Sequence, residues 1–265
     1  MRGMDVAEIN LYPIKSLRGT SVSEAVVCSY GLEHDRNWML IDADGKKLTQ
    51  REWPGLAKLV PHLENGNLRV EVPEAADIIV ARNNSTRTTE QIAVDLWGHE
   101  HVGAITSHAT NRAFTEAVGR SCRLLSLSSG SALGPEDAAF HDDAPFLVIS
   151  QASLDDLNRR LPSPLPMNRF RPSVVVTGSQ PFEEDTWQRI TIGDAEFTAV
   201  KLCVRCSMTT VDQAEGEFRG PEPLRTLATF RRVEQNVAFG AYFRPVNVGG
   251  KLSVGDELRV LETKL

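Results

Sequence analysis

At 265 residues, with 41% hydrophobic and 24% charged side chains, the chain has the make-up of one large or two modest globular domains, which excludes wholesale disorder. Its 29 basic residues against 35 acidic ones give a net charge of −6, without the basic excess of a protein that binds nucleic acid by neutralising phosphates. No apolar run approaches the ~20 residues of a membrane span, no signal-peptide core is visible, and the four cysteines are too few for a disulfide scaffold. The expected setting is a reducing cytoplasm.

The first residues run into a strand pattern that Pro13 ends. Residues 38–41, Asp44-Gly45 and 46–50 predict a strand, a tight turn and a second strand. Asn65-Gly66-Asn67 precedes the alternation from Leu68 to Val72, and 92–97, Gly98-His99 and 100–105 repeat the hairpin theme. Ser107 is placed to cap a helix through Val118, closed by Gly119. Ser and Gly crowd residues 120–134 (Ser126, Ser128, Ser129, Gly130, Ser131), which predicts a joint between an N-terminal domain over 1–122 and a C-terminal one over 128–265.

Beyond the joint, Phe146–Ser150 and Val174–Thr177 have the length and apolarity of core strands. Ser150 or Ser153 is placed to cap a helix with Leu154, Leu157 and Leu161 on one face. Glu183-Glu184-Asp185 reads as a solvated loop. Residues 189–192, Gly193-Asp194 and a long strand from Ala195 toward Cys206 form another hairpin. A third helix is expected over 221–232 with Leu224, Leu227 and Phe230 inward, and a meander over 246–248, 251–254 and 257–261. Turn signals every 8–12 residues point to a mainly β (α+β) protein of two β-barrel-like domains with a few short helices.

The sharpest chemical feature is Cys203-Val204-Arg205-Cys206, for which three readings compete. A zinc site needs further ligands at close spacing, but Cys28 and Cys122 stand alone and only His99 and His101 are near each other. A redox dithiol needs a helix N-terminus in a βαβ unit, and here the pair ends a strand. Buried packing is the ordinary fate of free cysteine. If the chain stays extended, positions 203 and 206 point to opposite faces, so one thiol packs and one faces a cleft. Arg205 and Lys201 beside it favour a thiolate at Cys206.

Cations also gather at strand ends: Lys15 with Ser16, Arg36, and Arg169 with Arg171. Singly each reads as surface charge; together they have the composition of an anion pocket. There is no phosphate-cradling glycine loop of the P-loop or G-x-G-x-x-G kind.

These pieces, in order, resemble a known family. Tyr12-Pro13-Ile14-Lys15-Ser16 and Gly31-Leu32 leading to Asp35-Arg36 resemble the N-terminal β-barrel domain found ahead of MOSC domains. Residues 168–172, 182–187, Cys203 to Cys206 with Thr209-Thr210-Val211-Asp212, Phe239-Gly240-Ala241-Tyr242-Phe243 and Val254-Gly255-Asp256 resemble the MOSC domain itself. The resemblance spans essentially the whole chain and is nearest the mitochondrial amidoxime-reducing components and their bacterial counterparts.

The resemblance implies a molybdenum-cofactor (Mo-molybdopterin) oxidoreductase that reduces N-hydroxylated compounds, releasing the oxygen as water. It makes Cys206 the catalytic metal ligand and leaves Cys203 as packing. Lys15, Ser16 and Arg36 would hold the cofactor from the N-terminal side, and Arg171, Arg205 and Tyr242 from the other. Where the family carries an Asn this chain has Ser173, and the loop over 142–144 would line the site, with Asp143 as its contact. No clustered iron–sulfur cysteines and no dinucleotide fingerprint occur, so a separate ferredoxin, flavodoxin or cytochrome-type protein is the expected electron donor, with neither nucleic acid nor membrane as partner. Two rival readings are a sulfur carrier with a persulfide on Cys206, and a non-catalytic cofactor-binding protein.

Overall fold

The computed structural model describes residues 3–64, 66–81, 87–96, 98–127 and 139–264. Part of the Ser/Gly-rich joint (128–138), Trp97 and Asn65 lie outside the described residues.

Alternating apolar side chains close seven strands into a barrel. Around it run Phe146–Ser150, Val174–Thr177, Met4–Leu11, Glu257–Thr263, Trp187–Ile192, Ala195–Val204 and Asn236–Pro245, the last pairing back onto Phe146–Ser150. All neighbours are antiparallel except Phe146–Ser150 with Val174–Thr177, which run parallel, Val148 opposite Val174. A bulge between Val6 and Glu8 resets the alternation, so that Val6 and Ile9 both face inward despite their odd separation. Phe146 stacks on Phe197 at 4.5 Å inside, beside Trp187. Gly240 sits mid-strand with φ 82°, and a Cβ there would fall 2.6 Å from Ile149 Cγ1, so only glycine lets the two strands meet.

The rest of the β structure comes mainly from the N-terminal half. Trp38–Asp42, Cys122–Leu127, His99–Thr106 and Arg87–Leu96 form one antiparallel sheet; Val60–Glu64, Asn67–Glu71 and Ile78–Ala81 form another. Helix His108–Val118 lays Phe114 onto their shared core, with Leu68, Val70, Val80 and Leu124. The Ser107 hydroxyl accepts from the Thr110 N–H and the helix stops at Gly119, as the sequence predicts. The two halves interleave: Met4–Leu11 completes the barrel, and Lys251–Ser253 pairs with Glu24–Cys28. As expected, the protein is mainly β, with three short α-helices among the described residues.

Helix Gln151–Arg160 makes the crossover between the two parallel strands, capped by Ser150, with Leu154 and Leu157 buried. Four expectations change. Residues 46–50 form no strand, only an isolated bridge from Lys47 to Ile41, because the Asp42 carboxylate takes the Asp44 and Lys46 N–H groups into a turn. The acidic run is not solvated: Glu184 is fully buried, its carboxylate accepting from the Ser150 N–H and the Ser153 hydroxyl, while Asp185 pairs with Arg231. A carboxylate facing a helix N-terminus meets unpaired donors there, which overrides its preference for water. The third helix shrinks to Leu224–Leu227, because the chain turns back into the strand pair Arg232–Val233 and Asn236–Pro245. The C-terminal meander does not form. Lys251–Ser253 is drawn to Glu24–Cys28, and Glu257–Thr263 enters the barrel instead.

Candidate functional site

Where barrel strands end against the N-terminal loops, a cavity of about 260 Å³ opens. Five guanidiniums line it, from Arg36, Arg51, Arg169, Arg171 and Arg205, against the carboxylates of Asp142 and Asp143. In a protein of net charge −6 this is a local reversal of sign.

Two of the arginines are held by strained backbone. Arg36 (φ 51°) and Arg171 (φ 55°) lie in the left-handed region that non-glycine residues avoid, as does Ser16 (φ 67°). Arg36 is paired with the fully buried Asp35, whose other oxygen accepts from the Tyr12 N–H at 2.7 Å. Arg171 donates to the Leu17 carbonyl at 2.7 Å, and burial pulls its pKa down to about 10, so it stays cationic at neutral pH. Ser173 lines the cavity too, although its hydroxyl is occupied by the Leu147 N–H, so it serves the barrel wall as well.

Arg205 follows the long strand, one residue beyond its end at Val204. One of its terminal nitrogens donates to the Phe170 carbonyl and the other to the Cys203 sulfur, both at 2.7 Å. Cys203 is 1% exposed among core residues, and burial pushes its thiol pKa up against the pull of Arg205. Tyr242, also in the cavity wall, hydrogen-bonds the same sulfur. Cys206 is exposed, at the head of the short 3-10 turn Ser207–Thr210, its carbonyl accepting from the Thr209 hydroxyl at 2.9 Å.

One thiol is buried and one exposed, as the spacing predicts, but both border the cavity. Strand pairing ends at Val204 and the cavity lies at that end, so Cys203, Val204, Arg205 and Cys206 all border it whichever face alternation would give them.

Lys15 and Ser16 do not border the cavity. The Lys15 ammonium is spent on the Phe140 and His141 carbonyls (both 3.1 Å) and on Asp142 (2.6 Å), so it ties down the loop that forms one wall. Burial would raise the Asp142 pKa, yet Lys15, Arg36 and Arg171 hold this carboxyl well below the usual carboxylate range. Asp143 is at the wall, paired outward with Lys201 at 3.2 Å.

The site therefore gathers Arg36, Asp143, Arg171, Ser173, Arg205, Cys206 and Tyr242 from the sequence expectation, with Lys15 and Ser16 one layer behind. Sequence reasoning misses Arg51, which comes from a turn with no motif of its own. Arg169, grouped with Arg171 among the strand-end cations of an anion pocket but not among the residues that the resemblance assigns, lines the cavity as well.

The MOSC N-terminal beta barrel domain matches residues 3–121 and the MOSC domain residues 135–259. Mitochondrial amidoxime reducing component 2 of Rattus norvegicus is 35% identical, over 95% of this chain and 81% of its own length. Mitochondrial amidoxime-reducing component 1 of Homo sapiens is 31% identical, over 97% and 82%. Molybdenum cofactor sulfurase of Arabidopsis thaliana is 35% identical over 89% of this chain, which spans 32% of that much longer protein. With both domains matched in order and the amidoxime-reducing relatives covered over 81% and 82% of their length, this chain belongs to the MOSC family and carries the MOSC N-terminal beta barrel domain.

Proposed function

We propose that the arginine-lined cavity binds the molybdenum cofactor and that the protein reduces N-hydroxylated compounds. The observation that carries this reading is an exposed thiol, Cys206, at the wall of a cavity ringed by guanidiniums in an acidic protein. The residues fit such a group. The Nε atoms of Arg169 and Arg205 are buried with no partner inside the protein, which leaves donors available to an anionic ligand. Arg36, Arg171 and Arg205 would hold a phosphate bearing about −1.5 to −2 charge, Tyr242 and Ser173 would border the ring system, and Cys206 would supply the soft thiolate ligand.

When bound, the cofactor supplies the two-electron chemistry of N–O cleavage, which no side chain of the protein can perform. The chain's own residues bind and orient. Lys15 fixes the loop carrying Asp142 and Asp143, Asp35 fixes Arg36, and Cys203 fixes Arg205. Electrons would come from a separate carrier protein.

The plant sulfurase relatives favour one second reading, in which Cys206 carries a persulfide and no metal is bound. One experiment separates the two. Protein from a host that makes the cofactor is analysed for molybdenum and sulfane sulfur, then assayed with reduced viologen and benzamidoxime. Stoichiometric molybdenum with turnover, both lost in Cys206→Ser, supports the reductase. Sulfane sulfur without molybdenum overturns it in favour of the carrier.

A further inference from the structure

Arg36 and Arg171 approach the cavity from opposite halves of the chain, and both backbones are strained. Two like charges brought together in a buried place repel, and among the described residues Asp35 forms an ion pair with Arg36 alone. Both lie over one ring. The Arg36 guanidinium carbon is 4.5 Å from the centroid of Tyr12 and that of Arg171 is 4.2 Å from it.

Tyr12 is tied to both sides. Its carbonyl accepts from the Arg36 N–H at 2.9 Å, and its hydroxyl donates to the carbonyl of Pro172, the residue after Arg171, at 3.1 Å. The ring edge lies against bare backbone, for a Cβ on Gly19 would fall 2.3 Å from Tyr12 Cε1. The ring is 3% exposed and does not border the cavity.

We propose that Tyr12 is a positioning residue for the anion site: its ring spaces the Arg36 and Arg171 guanidiniums and aims both at the cavity while touching nothing bound there. The inference rests on the reading of the cavity as an anion-binding cofactor site. The electron-rich faces of one aromatic ring stabilise two cations at once, so the ring offsets a repulsion that the anion would otherwise have to overcome on arrival. Burial pushes the phenol up to about 12, so the ring stays neutral throughout the working range and adds no competing charge.

The test uses the full chain made in a host lacking the cofactor, titrated calorimetrically with inorganic phosphate, with circular dichroism and thermal melts reporting the fold. Tyr12→Leu is expected to weaken phosphate binding about tenfold through the two lost cation–π contacts, while Tyr12→Phe, which keeps the ring, stays within about twofold of wild type. A folded Tyr12→Leu protein with wild-type affinity overturns the proposal, even if its melting temperature falls, since that is the signature of a purely structural ring. Tyr12→Phe losing as much as Tyr12→Leu also overturns it, because the hydroxyl and not the ring would then matter. Should Tyr12→Leu fail to fold, Gly19→Ala, which displaces the ring without deleting it, decides: about tenfold weaker binding supports the proposal and unchanged binding overturns it. A wild-type chain that binds no phosphate overturns the anion-site reading itself, and that appears before any variant is compared.

Discussion

At the scale of single residues, the arginines of the cavity depend on the neighbours that hold them. Cys203 packs like any core thiol, yet its sulfur also receives a guanidinium proton from Arg205. Cys203→Ala should therefore cost about 1–3 kcal/mol in denaturant unfolding, as for a buried donor left unpaired, and should lower molybdenum loading. Cys203→Ser, which keeps an acceptor, should lose less of both. Equal molybdenum content in wild type and Cys203→Ala would show that the contact does not orient Arg205. Arg36→Ala and Arg171→Ala should each yield folded but cofactor-poor protein, with roughly 2–5 kcal/mol of binding lost per buried charged partner; metal analysis of the purified variants decides. Much of this was legible in the chain, because Arg36, Arg171 and Arg205 sit at strand ends whose positions follow from turn signals. Arg51 was not, since an irregular turn reaches the cavity only through the tertiary fold.

Elements are where buried polar groups do most to decide the outcome. Glu184 accepts from the Ser150 N–H at the N-cap of helix Gln151–Arg160 and from the Ser153 hydroxyl, which in turn accepts from the Phe182 N–H at 2.7 Å. Burial pushes its carboxyl pKa up. Glu184→Ala leaves these donors without an acceptor and should destabilise by about 1–3 kcal/mol; Glu184→Gln, which retains one carbonyl oxygen, should cost less. Chemical denaturation orders the three proteins, and equal midpoints would remove the carboxylate from any structural role. Helices His108–Val118 and Gln151–Arg160 were readable from their serine caps and apolar spacing, both local signals. The missing meander was not, because the partners of its strands are Glu24–Cys28 and Trp187–Ile192, and no local pattern at 246–263 names them.

For the whole molecule, acid sensitivity follows from a group behind the cavity wall. His141 is buried with its Nδ1 unpartnered and its Nε2 at the Tyr30 carbonyl. Burial, reinforced by Arg36, takes its pKa down to about 3, against an ordinary 6.5. A folded-state pKa below the unfolded one means the unfolded chain binds the extra proton, so this stabilisation is complete above pH ~6.5 and is lost as pH falls toward about 3. Asp142, also depressed, adds acid sensitivity below the ordinary carboxylate range. Melting temperature should fall through that window, and His141→Asn should flatten its upper part; an unchanged profile in the variant would assign the loss to carboxylates alone.

The strand Met4–Leu11 is synthesised well before either of its barrel neighbours. Its barrel neighbours are Val174–Thr177 and Glu257–Thr263, so at roughly 5–20 residues per second it waits roughly 10–50 seconds for the second of them. During that wait, Val6 and Ile9 have no barrel to enter. The nascent chain is thus a client for holding chaperones over this strand, and the barrel cannot close until Glu257–Thr263 has been made. Residues 128–265 produced alone should expose the paired edges of Val174–Thr177 and Glu257–Thr263 and aggregate, whereas co-expression with residues 1–127 should return soluble complex. Soluble, monomeric 128–265 would mean that the gap left by the first strand can be sealed without it.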